Sequence, residues 1–270
     1  MMIHYSKKLS TAIAMALFFT LLIIPSASRA AEPGTMSQGE VVSFNTFTVF
    51  DAPQTVIDKA LAEGMDYKVL STMTDLSPQD KISSMKKQHR DPFEGHVDNK
   101  DLPETLKGYF AEYLEATSKL AKDPYSVYIR NHPDFTSLTH FDVIQLQQAD
   151  WTFIKFIDFV FWTDPSGEKN LLYILVDGGE APKKAKEVFE KKYGSFKQEK
   201  IPNPQMRTMK VDVHILQNDK QLVFFGERPS AGFTILNLDT LKKWQVEFNK
   251  MAQKHYKQME EMSKGIEDKI

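Results

Sequence analysis

Residues 151–163 read WTFIKFIDFVFWT. Phe153, Phe156, Ile157, Phe159, Val160, Phe161 and Trp162 place apolar side chains at both odd and even positions. Alternate residues of a strand point to opposite faces, so this pattern predicts a central strand covered on both sides. Asp164-Pro165-Ser166-Gly167 then supplies a turn, with Pro presetting the bend and Gly free to take positive φ. Leu171 to Val176 returns as the partner strand, and Asp177-Gly178-Gly179 breaks it.

Working toward the C-terminus, Pro182 starts a helix that stops at Gly194. Met209, Val211, Val213 and Ile215 alternate with Lys210, Asp212 and His214, which predicts a strand with one wet face. Asn218-Asp219 makes a hairpin turn, Leu222 to Phe225 returns, and Phe233 to Leu236 adds another strand. A last helix runs from about Leu238 to Met262 on a stripe of Leu241, Trp244, Phe248, Met251, Met259 and Met262. Two hairpin-plus-helix units thus echo one another without shared residues. Hairpins followed by helices predict α+β, with a mainly antiparallel sheet packed by amphipathic helices.

The N-terminal half is more helical in character. Val41 to Phe50 reads as a strand, and Asp51 as the cap of a helix ending at Gly64. Asp66 to Met73 is a short strand, Ser77-Pro78 opens a helix to about Gln88, and a charged loop spans His89 to Lys100. Leu102, Leu106, Phe110, Tyr113, Leu114, Thr117 and Leu120 keep helical spacing to Lys122. The expected organisation is a leader (1–30), a flexible lead-in (31–40), a mainly helical region (41–140), a hairpin and helix region (141–252) in one domain with it, and a polar helical tail (253–270).

Residues 1–30 have the layout of a secretory signal peptide. Lys7 and Lys8 precede an apolar run from Ile13 to Ile24, Pro25 ends it, and Ser28-Arg29-Ala30 offers small residues at the cleavage positions. The run is too short to span a bilayer. The expected location is periplasmic or secreted, with no stable membrane insertion after cleavage. Taking the leader's Lys7, Lys8 and Arg29 from the chain's 34 bases leaves 31 against 36 acids, a net charge of −5. That balance lacks the basic footprint nucleic acid needs. With no cysteine, disulfides, thiolate nucleophiles and Cys-ligated metal centres are excluded.

No phosphate-binding glycine loop, nucleophile elbow or HExxH is present. His89 and His96 share the loop HRDPFEGH with Asp91 and Glu94, but the spacing fits no common ligand pair, and no metal, cofactor or catalytic residue is assigned. Lys210, Asp212 and His214 read as a solvated strand face. Tyr109, Phe110 and Tyr113, with Trp151 and Trp162, are the candidates for walling an apolar ligand site, against the simpler reading of helix-to-sheet packing. Tyr256, Met259 and Met262, beyond the dense part of the last helix, are the candidates for contact with a partner or for self-association. These features lead to an exported, soluble, non-catalytic binding or accessory protein of the cell envelope, acting on an apolar ligand or an envelope protein. The alternatives are a Cys-independent hydrolase using Asp, Glu and His, or a structural subunit of an envelope assembly.

The leader makes one direct prediction: the exported chain begins at Ala31. Mass spectrometry of its N-terminus checks this, and a mature form that still starts at Met1 contradicts it.

Overall fold

A computed structural model describes residues 33–36, 40–70, 104–111, 113, 115, 141–148, 154–177, 181–202, 210–226 and 233–267. The expected leader, the 77–88 helix, the 89–100 loop, most of the helix to Lys122, and Trp151 lie outside them. Residues 33–270 form one compact unit.

Its frame is an eight-stranded antiparallel sheet, so the α+β expectation holds at that level. The first four strands in chain order are β3 (Asp66–Leu70), β4 (Phe141–Gln147), β5 (Phe156–Thr163) and β6 (Lys169–Asp177). They lie side by side as a meander. The second meander is β7 (Lys197–Pro202), β8 (Lys210–Gln217), β9 (Gln221–Gly226) and β10 (Phe233–Asn237). It runs inward from the opposite edge, so that β10 meets β6 at the centre. Ile235 lies opposite Ile174 and Phe233 opposite Val176 across that seam. A helix follows each meander: α3 (Ala181–Tyr193) the first, α4 (Leu238–Glu267) the second. The echo seen in the sequence is therefore a doubled four-strand meander.

Each face of the sheet carries its own apolar cluster. On one side, Ile157, Phe159, Phe161, Ile174 and Ile235 pack under Phe189 and Tyr193 of α3, Val56 and Ala60 of α1 (Pro53–Ala62), and Phe47 of a small hairpin, β1 (Ser43–Phe44) with β2 (Phe47–Thr48). On the other, Phe141, Val143, Val160, Trp162 and Leu236 pack under Trp244 and Phe248 of α4 and Leu106 of α2 (Glu104–Tyr109). The two-sided apolarity of the 151–163 run is thus explained: Phe159 is 0% and Trp162 is 1% exposed, on opposite faces. A register shift at Val160/Phe161 leaves Leu172 without an opposite residue, so the neighbouring Leu172 and Tyr173 both pack against the α4-side cluster.

Buried amides fasten the helices and the N-terminal segment to this frame. Gln221 accepts from the Val42 N–H at 2.8 Å and donates to its carbonyl at 3.2 Å. Asn237 caps α4 by accepting from Thr240 N–H at 3.1 Å, and donates to the Val49 carbonyl. Gln245 of α4 donates to the Tyr109 carbonyl and accepts from Tyr113 N–H.

Several expectations change in detail. The 41–50 run folds back at Asn45, whose φ is 54°, into the β1–β2 hairpin. Ala52 and not Asp51 occupies the N-cap of α1; Asp51 instead accepts from Thr48 N–H and pairs with Lys59 at 2.7 Å. Within the stretch expected to be a lead-in, Gly34 donates to the Ser195 carbonyl and Met36 is buried. Gly34 has φ +93°, and a Cβ there would sit 2.6 Å from that of Lys197, so only glycine fits. The wet face expected for β8 narrows to its start. Lys210 is exposed and Asp212 half-buried, but His214 is buried, because Phe225 opposite it packs edge-on against Phe196. Among the described residues no helix is long and apolar enough to cross a membrane.

The two-sided burial predicts that Phe159→Ala costs about 3–5 kcal/mol, whereas Lys210→Ala changes stability by less than about 0.5 kcal/mol. Urea unfolding of the two variants checks this, and comparable losses contradict it.

Candidate functional site

The aromatic candidates on α2 and just beyond it meet α4. Phe110 and Tyr113 are buried, and Tyr109 is partly buried against the same cluster. The Tyr113 ring lies 5.2 Å from Trp244 and 5.0 Å from Phe248. These rings fill one another's space in the manner of helix-to-sheet packing. Trp162 belongs to the same cluster but also lines a surface groove of about 520 Å³. The groove runs between the β5–β6 turn and the first turns of α4, and its rim carries Asp164, Asp239, Lys242, Lys243 and Glu247. Asp164 is occupied within its own turn, accepting from Ser166 and Glu168 backbone N–H groups. The partner candidates divide as well. Tyr256 and Met259 pack against the protein's own second cluster, and His255 beside them is 3% exposed. Met262 is exposed. The part of α4 that leaves the core thus begins beyond Met259, later than the expected boundary at residue 253.

A different set of residues draws attention on physical grounds. On the α4 side of the sheet, a file of polar side chains crosses β4, β5 and β6. Gln147 Nε2 donates to Gln145 Oε1 at 3.2 Å, and Gln145 Nε2 donates to Asp158 Oδ1 at 2.8 Å. The pleat explains the alignment. Gln145 is opposite Asp158 across the β4–β5 pairing, and side chains directly opposite share a face. On β6, Asp177 is opposite Phe156 and Leu175 is opposite Asp158. The two carboxylates therefore occupy one diagonal of a four-residue square, and Phe156 with Leu175 the other. All four are half-buried.

The electrostatics of the square are unusual for central strands. Burial raises the Asp158 pKa above the ordinary 3.8; the Gln145 hydrogen bond opposes the rise, and the charge of Asp177 adds to it. Asp177 Oδ1 is buried and has no hydrogen-bond partner among the described residues. A desolvated carboxylate oxygen without a donor is costly, and a donor from outside the protein would remove the cost. The square combines two acceptor groups with two apolar walls, an arrangement suited to a cationic or donor group carried on an apolar body. Asp212 Oδ1 is also buried without a partner among the described residues, but it lies on β8 away from this file. Among the described residues no three His, Asp or Glu side chains gather as a metal site. The HRDPFEGH loop lies outside the described residues.

Sequence reasoning passed over all four polar residues. Asp158 was one polar letter inside FIDFVFW, and Asp177 read as the breaker at a strand end. The available signal was Asp158 itself, a lone carboxylate in a strand whose two faces are otherwise apolar. No protein-family model matches the chain, and no curated protein or solved structure is significantly similar to it.

The raised Asp158 pKa has a definite consequence for stability. As pH rises past 3.8, the unfolded chain loses this proton before the folded one does. The stability this group contributes is therefore greatest below the unfolded pKa and falls as pH climbs through the folded pKa. Asp158→Asn should remove that loss, so the variant gains on the wild type as pH rises above the ordinary 3.8. Urea unfolding across that range checks it, and a pH-independent difference contradicts it.

Proposed function

We propose that this chain is an exported, non-catalytic binding or accessory protein of the cell envelope, and that its ligand brings a cationic group on an apolar body to the Asp158–Asp177 square. Export rests on the layout of residues 1–30. The binding reading rests on one observation: two neighbouring carboxylates are half-buried on central strands, and an oxygen of one is desolvated without a donor. Proteins seldom keep such a group without use, because an apolar residue in its place costs nothing to desolvate. An ammonium or guanidinium supplies the missing donor as a charge-assisted hydrogen bond. Phe156 and Leu175 offer apolar surface to whatever carries that group.

A second reading has a specific observation behind it. Two adjacent carboxyl groups, one with a raised pKa, are also what acid–base hydrolysis requires. In that case Asp158 would hold the proton and Asp177 would act as the base.

Scanning calorimetry with octylamine as probe, and octanol as its uncharged counterpart, tests the proposal. Octylamine is expected to raise the melting temperature of the wild type in a dose-dependent way, with octanol much weaker. Asp177→Asn, which leaves the apolar walls in place, should abolish the difference between the two probes. Equal effects of amine and alcohol on the wild type, or an undiminished amine effect in Asp177→Asn, would overturn it. Turnover of a chromogenic ester or glycoside that Asp158→Asn abolishes would favour the hydrolytic reading instead.

A further inference from the structure

The two edges of the sheet are built differently. The β7 edge has the sequence KQEKIP, with three charges and a terminal proline. It is also attended by neighbours: Glu199 accepts hydrogen bonds from the backbone N–H and hydroxyl of Thr105, Lys197 Nζ donates to Thr105 Oγ1, and Gly34 donates to Ser195 beside the strand's start. Charge, proline and cover are the usual protections of a strand edge. The β3 edge, sequence DYKVL, carries two charges but has neither proline nor a covering segment among the described residues. Among the described residues it pairs with β4 alone. Tyr67 is 39% exposed and Val69 54% exposed. Both lie on the face that α1 covers, where Leu61 at the end of α1 is 59% exposed. Asp66 and Lys68 lie on the other face, both exposed, and neither forms an ion pair among the described residues.

We infer that β3 pairs antiparallel with β3 of a second copy of this chain, about a two-fold axis at Tyr67. The order of charges selects both the occupant and the register. Asp66 and Lys68 flank Tyr67 symmetrically, so an axis at Tyr67 sets Asp66 opposite the partner's Lys68 and Lys68 opposite the partner's Asp66. Tyr67 meets the partner's Tyr67. Directly opposed unlike charges and aromatic pairs are the favourable cross-strand combinations. An axis one residue further along, at Lys68, would oppose Lys68 to the partner's Lys68, which is unfavourable. A two-fold axis normal to the sheet preserves its faces, so the two α1 helices lie on the same side of the joined sheet. The exposed apolar residues Leu61, Tyr67 and Val69 of both copies then share that side. The apolar residues of this surface lie on the face of the sheet opposite the Asp158–Asp177 square, whereas Asp66 and Lys68 share the square's face, opposite Gln147 and Gln145.

The cysteine-free chain makes the register directly testable. Side chains directly opposite one another across an antiparallel pair have Cβ atoms about 4.5–5.5 Å apart, close to what a disulfide spans. Tyr67→Cys is therefore expected to give a disulfide-linked dimer on mild oxidation, and Val69→Cys to give little. In sedimentation velocity the wild type should form a concentration-dependent dimer. Asp66→Lys and Lys68→Asp should each weaken it about tenfold, and the combined swap should restore it. Far-UV circular dichroism confirms that each variant remains folded. A wild type that stays monomeric at all concentrations, a dimer indifferent to the single charge reversals, or cross-linking that prefers residue 69 would each overturn the inference.

Discussion

The antiparallel pairing of β6 with β10 is the constraint on which the rest of the structure depends. Within each meander the strands pair in chain order, β3 and β4 across residues 71–140, and β6 and β10 then join the two meanders across α3 and β7 to β9. Loop-closure entropy must be met before that contact contributes anything. What offsets it is the continuity of both apolar clusters across the seam: Ile174 and Ile235 on one face, Tyr173 and Leu236 on the other. The candidate site shares β6 with this junction. Leu175, a wall of the carboxylate square, is paired with Thr234 of β10. The β5–β6 register sets Asp177 diagonal to Asp158, and the seam pairs the other edge of β6.

Buried amides fasten the peripheral segments of this cysteine-free chain to the sheet. The chain has no cysteine, yet its first described segment, the β1–β2 hairpin, α2 and α4 all have to be held against one sheet. Gln221, Asn237 and Gln245 do this through backbone groups on distant segments, and each is nearly fully buried. Such bonds are modest in net worth but expensive to leave half-made. They therefore favour one arrangement of the peripheral segments more than they add to its stability.

What could be read in the sequence depended on how completely a segment is buried. The strands β5 and β6 were legible, because covering both faces forces a continuous apolar run. The α1 and α3 helices were legible through Pro and Gly at their ends. The edge strand β7 was not, since KQEKIP has the composition of a surface loop and an edge needs those same residues for protection. The strand β4 was also passed over, because its polar positions Asp142, Gln145 and Gln147 obscure the alternation of Phe141, Val143 and Leu146. His214 misled for the reverse reason: period-two polarity implies a wet face only if nothing folds over it. The candidate site lay deeper still. Asp158 and Asp177 are 19 positions apart, and only the β5–β6 register makes them neighbours.

Native-state hydrogen exchange tests the central claim most directly. If the seam unites the two meanders, the amides of Ile174, Val176 and Ile235 exchange only through global unfolding, and protected amides of β5 and β8 share the same dependence on denaturant. Separate transitions, with one meander keeping its protection after the other has opened, would contradict the account.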